Sequence, residues 1–130
     1  MNEPSLSPPV PNLPLLRKVL DVIDADPAHW DQLWWEASAD QRHERNGALY
    51  DARYGKCGTT RCVAGWVQWF EQGEVTDDST SEVARTALGL TWAEARALFW
   101  ETADASAPHE QRVAIQAVAE QIAARAGERL

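Results

Sequence analysis

The sequence predicts an all-α protein of about five helices, with residues 1–11 as an extended Pro-rich arm and residues 12–130 as a single helical domain. Apolar residues recur at helical spacing along most of the chain, and candidate caps and glycine stops separate these stretches. No stretch alternates apolar and polar residues as a half-buried strand does. The 130 residues are 45% hydrophobic and 25% charged, which is typical of one globular domain with a modest core.

The N-terminal segment predicts an arm followed by a helix. Residues 1–11 are rich in Pro and Ser and cannot propagate a helix. The first helix should begin after Asn12 as N-cap, with Pro14 in its first turn, where the missing N–H costs little. Its end is expected at Asp26, because the residue before Pro27 avoids the α conformation. Its apolar stripe consists of Leu16, Val19, Leu20 and Ile23.

A Trp-rich stretch and a long loop are predicted next. Residues 29–35 contain Trp30, Trp34 and Trp35, and indoles bury about 150–250 Å² each. We therefore expect a short helix or turn that plugs the core. Residues 38–56 have weak periodicity and two glycines, which predicts a long loop.

A second helix is predicted over residues 60–72, capped by Thr59 or Thr60 and stopped by Gly73. Its apolar face consists of Val63, Trp66, Val67 and Phe70. A third helix should follow a polar loop, with Thr80 or Ser81 as its N-cap. Its apolar residues are Val83, Ala87 and Leu88, and Gly89 is the expected stop.

Two further helices complete the predicted domain. Thr91 and Glu94 have the spacing of a capping box, in which each side chain satisfies a backbone N–H of the other residue. The inner face of that helix consists of Ala95, Leu98 and Phe99. The last helix should begin near Pro108. Its apolar positions are Ile115, Val118, Ile122 and Ala126.

Charge and motifs exclude several classes of function. The formal net charge is −8, and residues 74–110 hold eight acidic and two basic side chains, whereas residues 41–56 have a net charge of +2. This balance argues against nucleic-acid binding, which depends on clustered positive charge. It is typical either of a solvated acidic surface or of a face that docks onto a basic partner. No established enzyme, phosphate-binding or calcium motif occurs, so neither catalysis nor a cofactor is expected.

Membrane and export signals are also missing from the sequence given. No apolar run approaches the roughly 18 residues that a membrane helix needs. The first residues have neither the basic nor the apolar region of a secretory signal. We therefore expect a cytoplasmic protein that does not contact a membrane.

Residues 57–66, CGTTRCVAGW, form the most unusual segment. Gly58 lets the backbone adopt a positive φ just before a helix cap. Cys62 is expected in the first helical turn, where the helix dipole favours a thiolate. Gly65 inside a helix costs about 1 kcal/mol relative to Ala, which indicates close approach of another group. The residues with expected structural roles are Cys57, Gly58, Thr59, Cys62, Gly65 and Trp66.

The two cysteines leave four interpretations open. Cys57 and Cys62 could be buried thiols that pack the helix start, or they could form a disulfide that pins the loop. Their spacing also suits a zinc site completed by His29 and His43, although no second paired motif exists. The fourth interpretation makes Cys62 a nucleophile with one of these histidines as its base.

Two blocks of sequence, CGTTRCVAGW and LGLTWAEARALF, resemble an uncharacterised family of small proteins found in actinobacteria and their bacteriophages. Members share a CGT-x-x-C-x-AGW signature followed by LGL and an EA-x-x-LF helix. This chain has a longer insert between its tryptophans and Cys57. The resemblance implies a phage or prophage accessory protein, and it carries over no catalytic residues.

The tryptophans favour a protein-interaction module. Seven tryptophans outnumber the four Phe and Tyr residues, and Trp is enriched at binding hot spots. The expected contact residues are Trp92, Trp100, Glu94 and Glu101, and the partner is another protein or a second copy of the chain. The alternative is a helix-turn-helix regulator that contacts DNA through residues 81–101. Its acidic charge argues against that alternative.

Overall fold

Five α-helices make up most of the part of the chain that the computed structural model describes, which comprises residues 9–30, 32, 36–37, 60–76, 79–105 and 107–130. They are α1 (Leu13–Ala25), α2 (Val63–Gln72), α3 (Thr80–Leu88), α4 (Trp92–Phe99) and α5 (Pro108–Arg125). Short 3₁₀ turns follow α1 and α4, at Pro27–His29 and Glu101–Asp104. The predicted all-α fold is confirmed, and the helices form a single compact domain.

Helix α1 forms as its local signals predict. The Asn12 side-chain oxygen accepts a hydrogen bond from the Leu15 amide at 3.2 Å, and Pro14 lies in the first turn. The helix ends at Ala25, and Asp26 serves as its C-cap. Every residue of the predicted apolar stripe is buried. The helix therefore begins and ends where capping and proline chemistry place it.

The predicted start of α2 is wrong. The helix begins at Val63 and its N-cap is Cys62, whose sulfur accepts a hydrogen bond from the Gly65 amide at 3.3 Å. Thr60 cannot cap the helix, because β2 (Thr60–Arg61) pairs antiparallel with β1 (Glu36–Ala37) and is extended. Each strand has two residues, which is too short to produce the alternation by which strands are recognised.

The predicted cap of α3 is also wrong. The N-cap position belongs to Ser79, and Thr80 is the first helical residue. The Thr80 hydroxyl is buried and lies 2.7 Å from both the side-chain oxygen of Gln68 and the carbonyl oxygen of Thr76. Thr80 thus bonds to the loop and to α2 rather than to its own helix.

The glycine stops and the capping box are confirmed. Gly73 and Gly89 adopt the left-handed conformation, with φ of 73° and 67°, at the ends of α2 and α3. Thr91 and Glu94 form the reciprocal hydrogen bonds of a capping box at the start of α4. These features depend on residues close in sequence, and the sequence alone predicts them correctly.

All five helices contribute to one apolar core. Helix α2 packs most extensively against α3, and both contact α1. The largest fully buried apolar side chains of this core are Leu16, Ile23, Trp66, Leu88, Leu90, Leu98, Ile115 and Ile122. On α5 the predicted Ala126 is wrong: it is exposed at the C-cap, while Ala119 and Ala123 face the core. Successive buried positions four residues apart keep those two alanines on the inner face.

Part of the Trp-rich stretch also lies in the core. Trp30 is buried, as the plug hypothesis requires, and its backbone forms a parallel bridge with Arg61. Trp34, Trp35 and the predicted loop over residues 38–56 lie outside the described residues.

Candidate functional site

Helix α4 is held at its N-terminus by the capping box and by a distant arginine. The Glu94 amide donates to the Thr91 hydroxyl at 3.1 Å, and the Thr91 amide donates to the Glu94 carboxylate at 2.9 Å. Arg125, at the end of α5, donates two hydrogen bonds to the same carboxylate, at 2.6 and 2.7 Å. One carboxylate therefore caps α4 and binds α5.

Arg125 also connects the N-terminal arm to the turn between α3 and α4. Its guanidinium donates to the carbonyl oxygen of Gly89 at 3.0 Å and to that of Pro9 at 2.6 Å. Next to these contacts, the backbone N–H of Asn12 donates to the Leu88 carbonyl oxygen at 2.8 Å. The arm, the turn and α5 thus meet at one arginine, and α4 projects from this junction.

The junction changes the pKa values of its charged groups. Burial alone would raise the pKa of Glu94, but hydrogen bonds from Arg125 and Thr91 outweigh burial and hold it below the ordinary 4.5. The hydrogen bond that Arg125 donates to Glu94 is the main reason why the pKa of Arg125 is raised. A carboxyl group with a lowered pKa stabilises the fold above its unfolded pKa, and that stabilisation disappears as the pH falls through its folded pKa.

Replacing Glu94 by Gln should therefore cost stability at neutral pH and little in acid. Gln can still form a capping box, so the variant removes mainly the charge. We expect the free energy of unfolding to fall by about 1–2 kcal/mol at pH 7, because a hydrogen-bonded, half-buried ion pair is lost. The difference from the parent protein should vanish well below pH 4.5, where both side chains are neutral.

Urea unfolding at both pH values measures this difference. Glu71→Gln, which removes an exposed carboxylate from α2, is the control and should change stability little at either pH. A Glu94→Gln penalty that persists unchanged in acid would contradict the assignment, because it would not depend on the carboxylate charge.

Two tryptophans are exposed on α4, at its first residue and at its C-cap. Trp92 is 51% exposed and Trp100 is 44% exposed. Arg96, also exposed, lies four residues from each of them, so the three side chains form one row along the helix. We call this row, Trp92, Arg96 and Trp100, the α4 face. Both ends of the row also have neighbouring groups that restrain the rings.

The two rings of the α4 face are braced from within the chain. The guanidinium of Arg85, on α3, lies 4.3 Å from the ring centre of Trp92 and also pairs with Glu82 at 2.6 Å. Trp100 stands edge-on to the buried ring of Phe99, with 6.0 Å between ring centres. Each indole of the α4 face is therefore in contact with a side chain of the same chain.

The structure divides the predicted contact residues into two groups. Trp92, Trp100 and Glu101 are exposed, and Glu101 opens the 3₁₀ turn directly after Trp100. Glu94 is partly buried and binds Arg125. Both of its carboxylate oxygens accept hydrogen bonds from Arg125, and the side chain is partly exposed, so its role as a partner contact stays a prediction.

Within the CGTTRCVAGW segment, residues 57–59 lie outside the described residues, and residues 61–66 are buried. Cys62 is the N-cap of α2 rather than part of its first turn, which corrects the prediction. Gly65 and Trp66 face the core, as their structural roles require. The second half of the segment therefore forms the start of α2.

A buried arginine that the sequence pattern does not predict lies just before this helix start. Arg61 is 1% exposed, and its guanidinium lies 4.0 Å from the ring centre of Trp69 and 5.0 Å from that of Trp66. In the sequence, the only indication of these contacts is that Arg61 lies five residues before Trp66 and eight before Trp69. This spacing indicates a contact only if the helix begins at Val63, after Arg61.

The zinc and nucleophile hypotheses involve residues that the structure covers only in part. Cys57 and His43 lie outside the described residues, and His29 falls in the 3₁₀ turn after α1. Among the described side chains, no group of three or more His, Cys, Asp and Glu is arranged to hold a metal ion. Within the same ranges, no helix is both long and apolar enough to span a membrane.

The paired helices α3 and α4 have the connectivity of a helix-turn-helix. Gly89 forms the turn, and α4 would be the helix that enters the DNA groove. The exposed α4 face offers one cation, Arg96, between two tryptophans. A protein that reads DNA needs several phosphate contacts from Lys or Arg, so this face is poorly suited to DNA.

Comparison with known proteins identifies no relative: no family model matches the chain, and no curated protein and no solved structure matches it significantly.

Proposed function

We propose that this protein is a non-enzymatic, acidic interaction module that binds a protein partner through the α4 face. The exposure of both indoles carries this proposal. The other large apolar side chains that are strongly exposed in the described ranges are only Val10 and Val113. Trp and Arg are the residue types most enriched at binding hot spots, and the α4 face consists of two Trp and one Arg.

The rigidity of α4 supports the proposal. Its N-terminus is fixed by the capping box and by Arg125, and its inner side is fixed by the buried Leu98 and Phe99. Ordering an interface on binding costs about 0.5–1.5 kcal/mol for each side chain immobilised. Rings that are already braced avoid part of this cost, so a small face can contribute useful affinity.

The setting of this interaction follows from charge and from the resemblance to actinobacteriophage proteins. We place the protein in the cytoplasm of a bacterial host, as a phage or prophage accessory protein. An acidic exterior keeps such a protein soluble and steers it toward basic surfaces. Its target would be a host protein or another phage protein.

Replacing Trp92 and Trp100 together by Ala should weaken partner binding at least about tenfold, because truncating a hot-spot residue commonly costs 2 kcal/mol or more. The fold should persist, since both rings are half exposed. Quantitative mass spectrometry of proteins captured from host lysate measures the effect, and urea unfolding checks the fold.

The matched control is Val113→Ala, which removes an exposed apolar side chain from α5. Captured proteins should be lost with the tryptophan variant and retained with the control. Capture of the same proteins by all three forms would refute the α4 face as the contact surface. Capture of nothing by the parent protein would equally oppose the proposal.

A further inference from the structure

Residues 9–12 are the described part of the N-terminal arm, and we call them the strap. Arg125 donates a hydrogen bond to the carbonyl oxygen of Pro9 at 2.6 Å. The main chain of Val10 lies so close to Gly89 that a Cβ atom on this glycine would overlap it. The side chain of Val10 is 83% exposed, so this part of the strap is docked mainly through its backbone.

Asn12 connects the strap to two helices. Its side-chain oxygen accepts a hydrogen bond from the Leu15 amide and caps the start of α1. Its backbone N–H donates to the Leu88 carbonyl oxygen at 2.8 Å, and its side-chain nitrogen donates to that of Ala87 at 3.2 Å. The last carbonyl groups of a helix have no partner within the helix, so Asn12 satisfies two of them at the end of α3. The strap therefore docks onto α3 at Asn12 and onto α5 at its outer end.

The outer end of the strap is connected to α4 through one guanidinium. Arg125 donates to the Glu94 carboxylate at 2.6 and 2.7 Å, and at the same time it binds the Pro9 carbonyl. The same carboxylate caps α4 by accepting from the Thr91 amide at 2.9 Å. Docking of the strap and capping of α4 therefore favour the same position of Arg125. Loss of either contact leaves the guanidinium less ordered for the other.

We infer that the strap is a conformational device: it detaches from α3 and α5 as a unit while the core stays folded, and its detachment loosens the N-terminus of α4 through Arg125. Segments with few buried contacts open at a lower free energy than the core does. Coupling between two sites is reciprocal, so loosening the start of α4 also favours detachment of the strap.

This device adds regulation to the proposed function. A protein that binds the exposed side of the strap, where Val10 lies, would alter the α4 face without contacting it. The test below needs no partner, so the inference can fail while the proposed function stands.

Replacing both strap prolines by glycine, as Pro9→Gly/Pro11→Gly in the full chain, should favour detachment without removing a hydrogen bond. Proline has no backbone N–H to lose, and glycine gives the detached strap more conformations. We expect amide exchange at Asn12 and at Thr91 to accelerate about fivefold or more, as measured in ¹H–¹⁵N spectra. Pro27→Gly, at an exposed proline after α1, is the matched control and should leave both rates within about twofold.

The reverse experiment changes α4 and observes the strap. Glu94→Gln keeps the capping box but weakens the binding of Arg125. Exchange at the backbone N–H of Asn12 should therefore accelerate about fivefold or more, because coupling acts in both directions. Glu71→Gln, which removes an exposed carboxylate from α2, is the control and should leave exchange at Asn12 unchanged.

A core amide distinguishes detachment of the strap from unfolding of the whole protein. The backbone N–H of Trp66 donates to the Cys62 carbonyl oxygen at 2.9 Å, and Trp66 is buried. In the parent protein, Asn12 and Thr91 should be protected from exchange at least about tenfold less than Trp66.

Three results would overturn the inference. Equal protection of the three amides in the parent protein would mean that the strap detaches only when the whole protein unfolds. Acceleration at Asn12 alone in the proline variant would mean that the strap moves without affecting α4. An exchange rate at Asn12 that Glu94→Gln leaves unchanged would mean that Arg125 does not couple the two.

Discussion

Replacing Gln32 by Leu should lower the free energy of unfolding by about 3–5 kcal/mol, one of the largest effects of any polar substitution in this chain. The side chain is buried, and all of its hydrogen-bonding capacity is used. Its oxygen accepts from the Trp30 indole at 3.0 Å and from the Val63 amide at 3.1 Å. Its nitrogen donates to the Leu98 carbonyl and the Thr102 hydroxyl, both at 3.1 Å.

The size of this effect follows from the groups that Leu would leave without a partner. Each buried polar group so stranded costs about 1–3 kcal/mol. The Leu98 carbonyl keeps a second hydrogen bond from the Thr102 hydroxyl at 2.9 Å, so the four losses do not add fully. Gln32 joins the Trp30 stretch to the start of α2 and the end of α4, and its loss loosens three parts of the core together.

Urea unfolding at neutral pH measures the loss, and Gln121→Leu, at an exposed position on α5, is the matched control. The control should stay within about 0.5 kcal/mol of the parent protein. A Gln32→Leu variant that loses less than about 1 kcal/mol would show that other groups satisfy the stranded partners.

Local chemistry explains why much of the fold could be predicted from the sequence. The cap at Asn12, the capping box at Thr91 and the stops at Gly73 and Gly89 each depend on residues within one helical turn. The apolar stripe of α1 repeats at helical spacing, and its burial follows. Where a structural feature depends only on residues close in sequence, residue propensities and apolar spacing are sufficient to predict it.

Contacts between residues distant in sequence explain what could not be predicted. Thr60 is drawn into pairing with β1, so Cys62 becomes the cap of α2. The position of Thr80 depends on Gln68, twelve residues earlier. Neither interaction can be predicted from the residues adjacent to Thr60 or Thr80 in the sequence.

The same distinction applies to the candidate site. The sequence correctly indicates Glu94 as part of a capping box, but it does not reveal that the same carboxylate binds Arg125, 31 residues away. The exposure of Trp92 and Trp100 satisfies a requirement for contact residues. That they bind a partner remains a prediction.

The N-terminal arm provides the second large expected effect. Gly89 has a φ of 67°, and a Cβ atom there would overlap the carbonyl oxygen of Val10 and lie 2.8 Å from its carbonyl carbon. The obstacle is backbone, which a rotamer change cannot move. An alanine at this position must therefore displace the arm or distort the turn between α3 and α4.

Gly73→Ala is the matched control, because Gly73 has a φ of 73° and nothing lies within 4 Å of the position its Cβ would take. Both variants incur the left-handed strain of about 1–2 kcal/mol. Gly89→Ala should lose about 1–2 kcal/mol more, since displacing the arm removes the hydrogen bonds from Asn12 to Leu88 and from Arg125 to Pro9.

Hydrogen exchange at the backbone N–H of Asn12 distinguishes displacement of the arm from the left-handed backbone strain that both variants share. That amide donates to the Leu88 carbonyl at 2.8 Å, so its exchange should accelerate strongly in Gly89→Ala and little in Gly73→Ala. Equal destabilisation and equal exchange in the two variants would mean that the arm does not pack on the turn. A selective effect would instead show that the arm, through Arg125 and Gly89, helps to hold the helix that presents the α4 face.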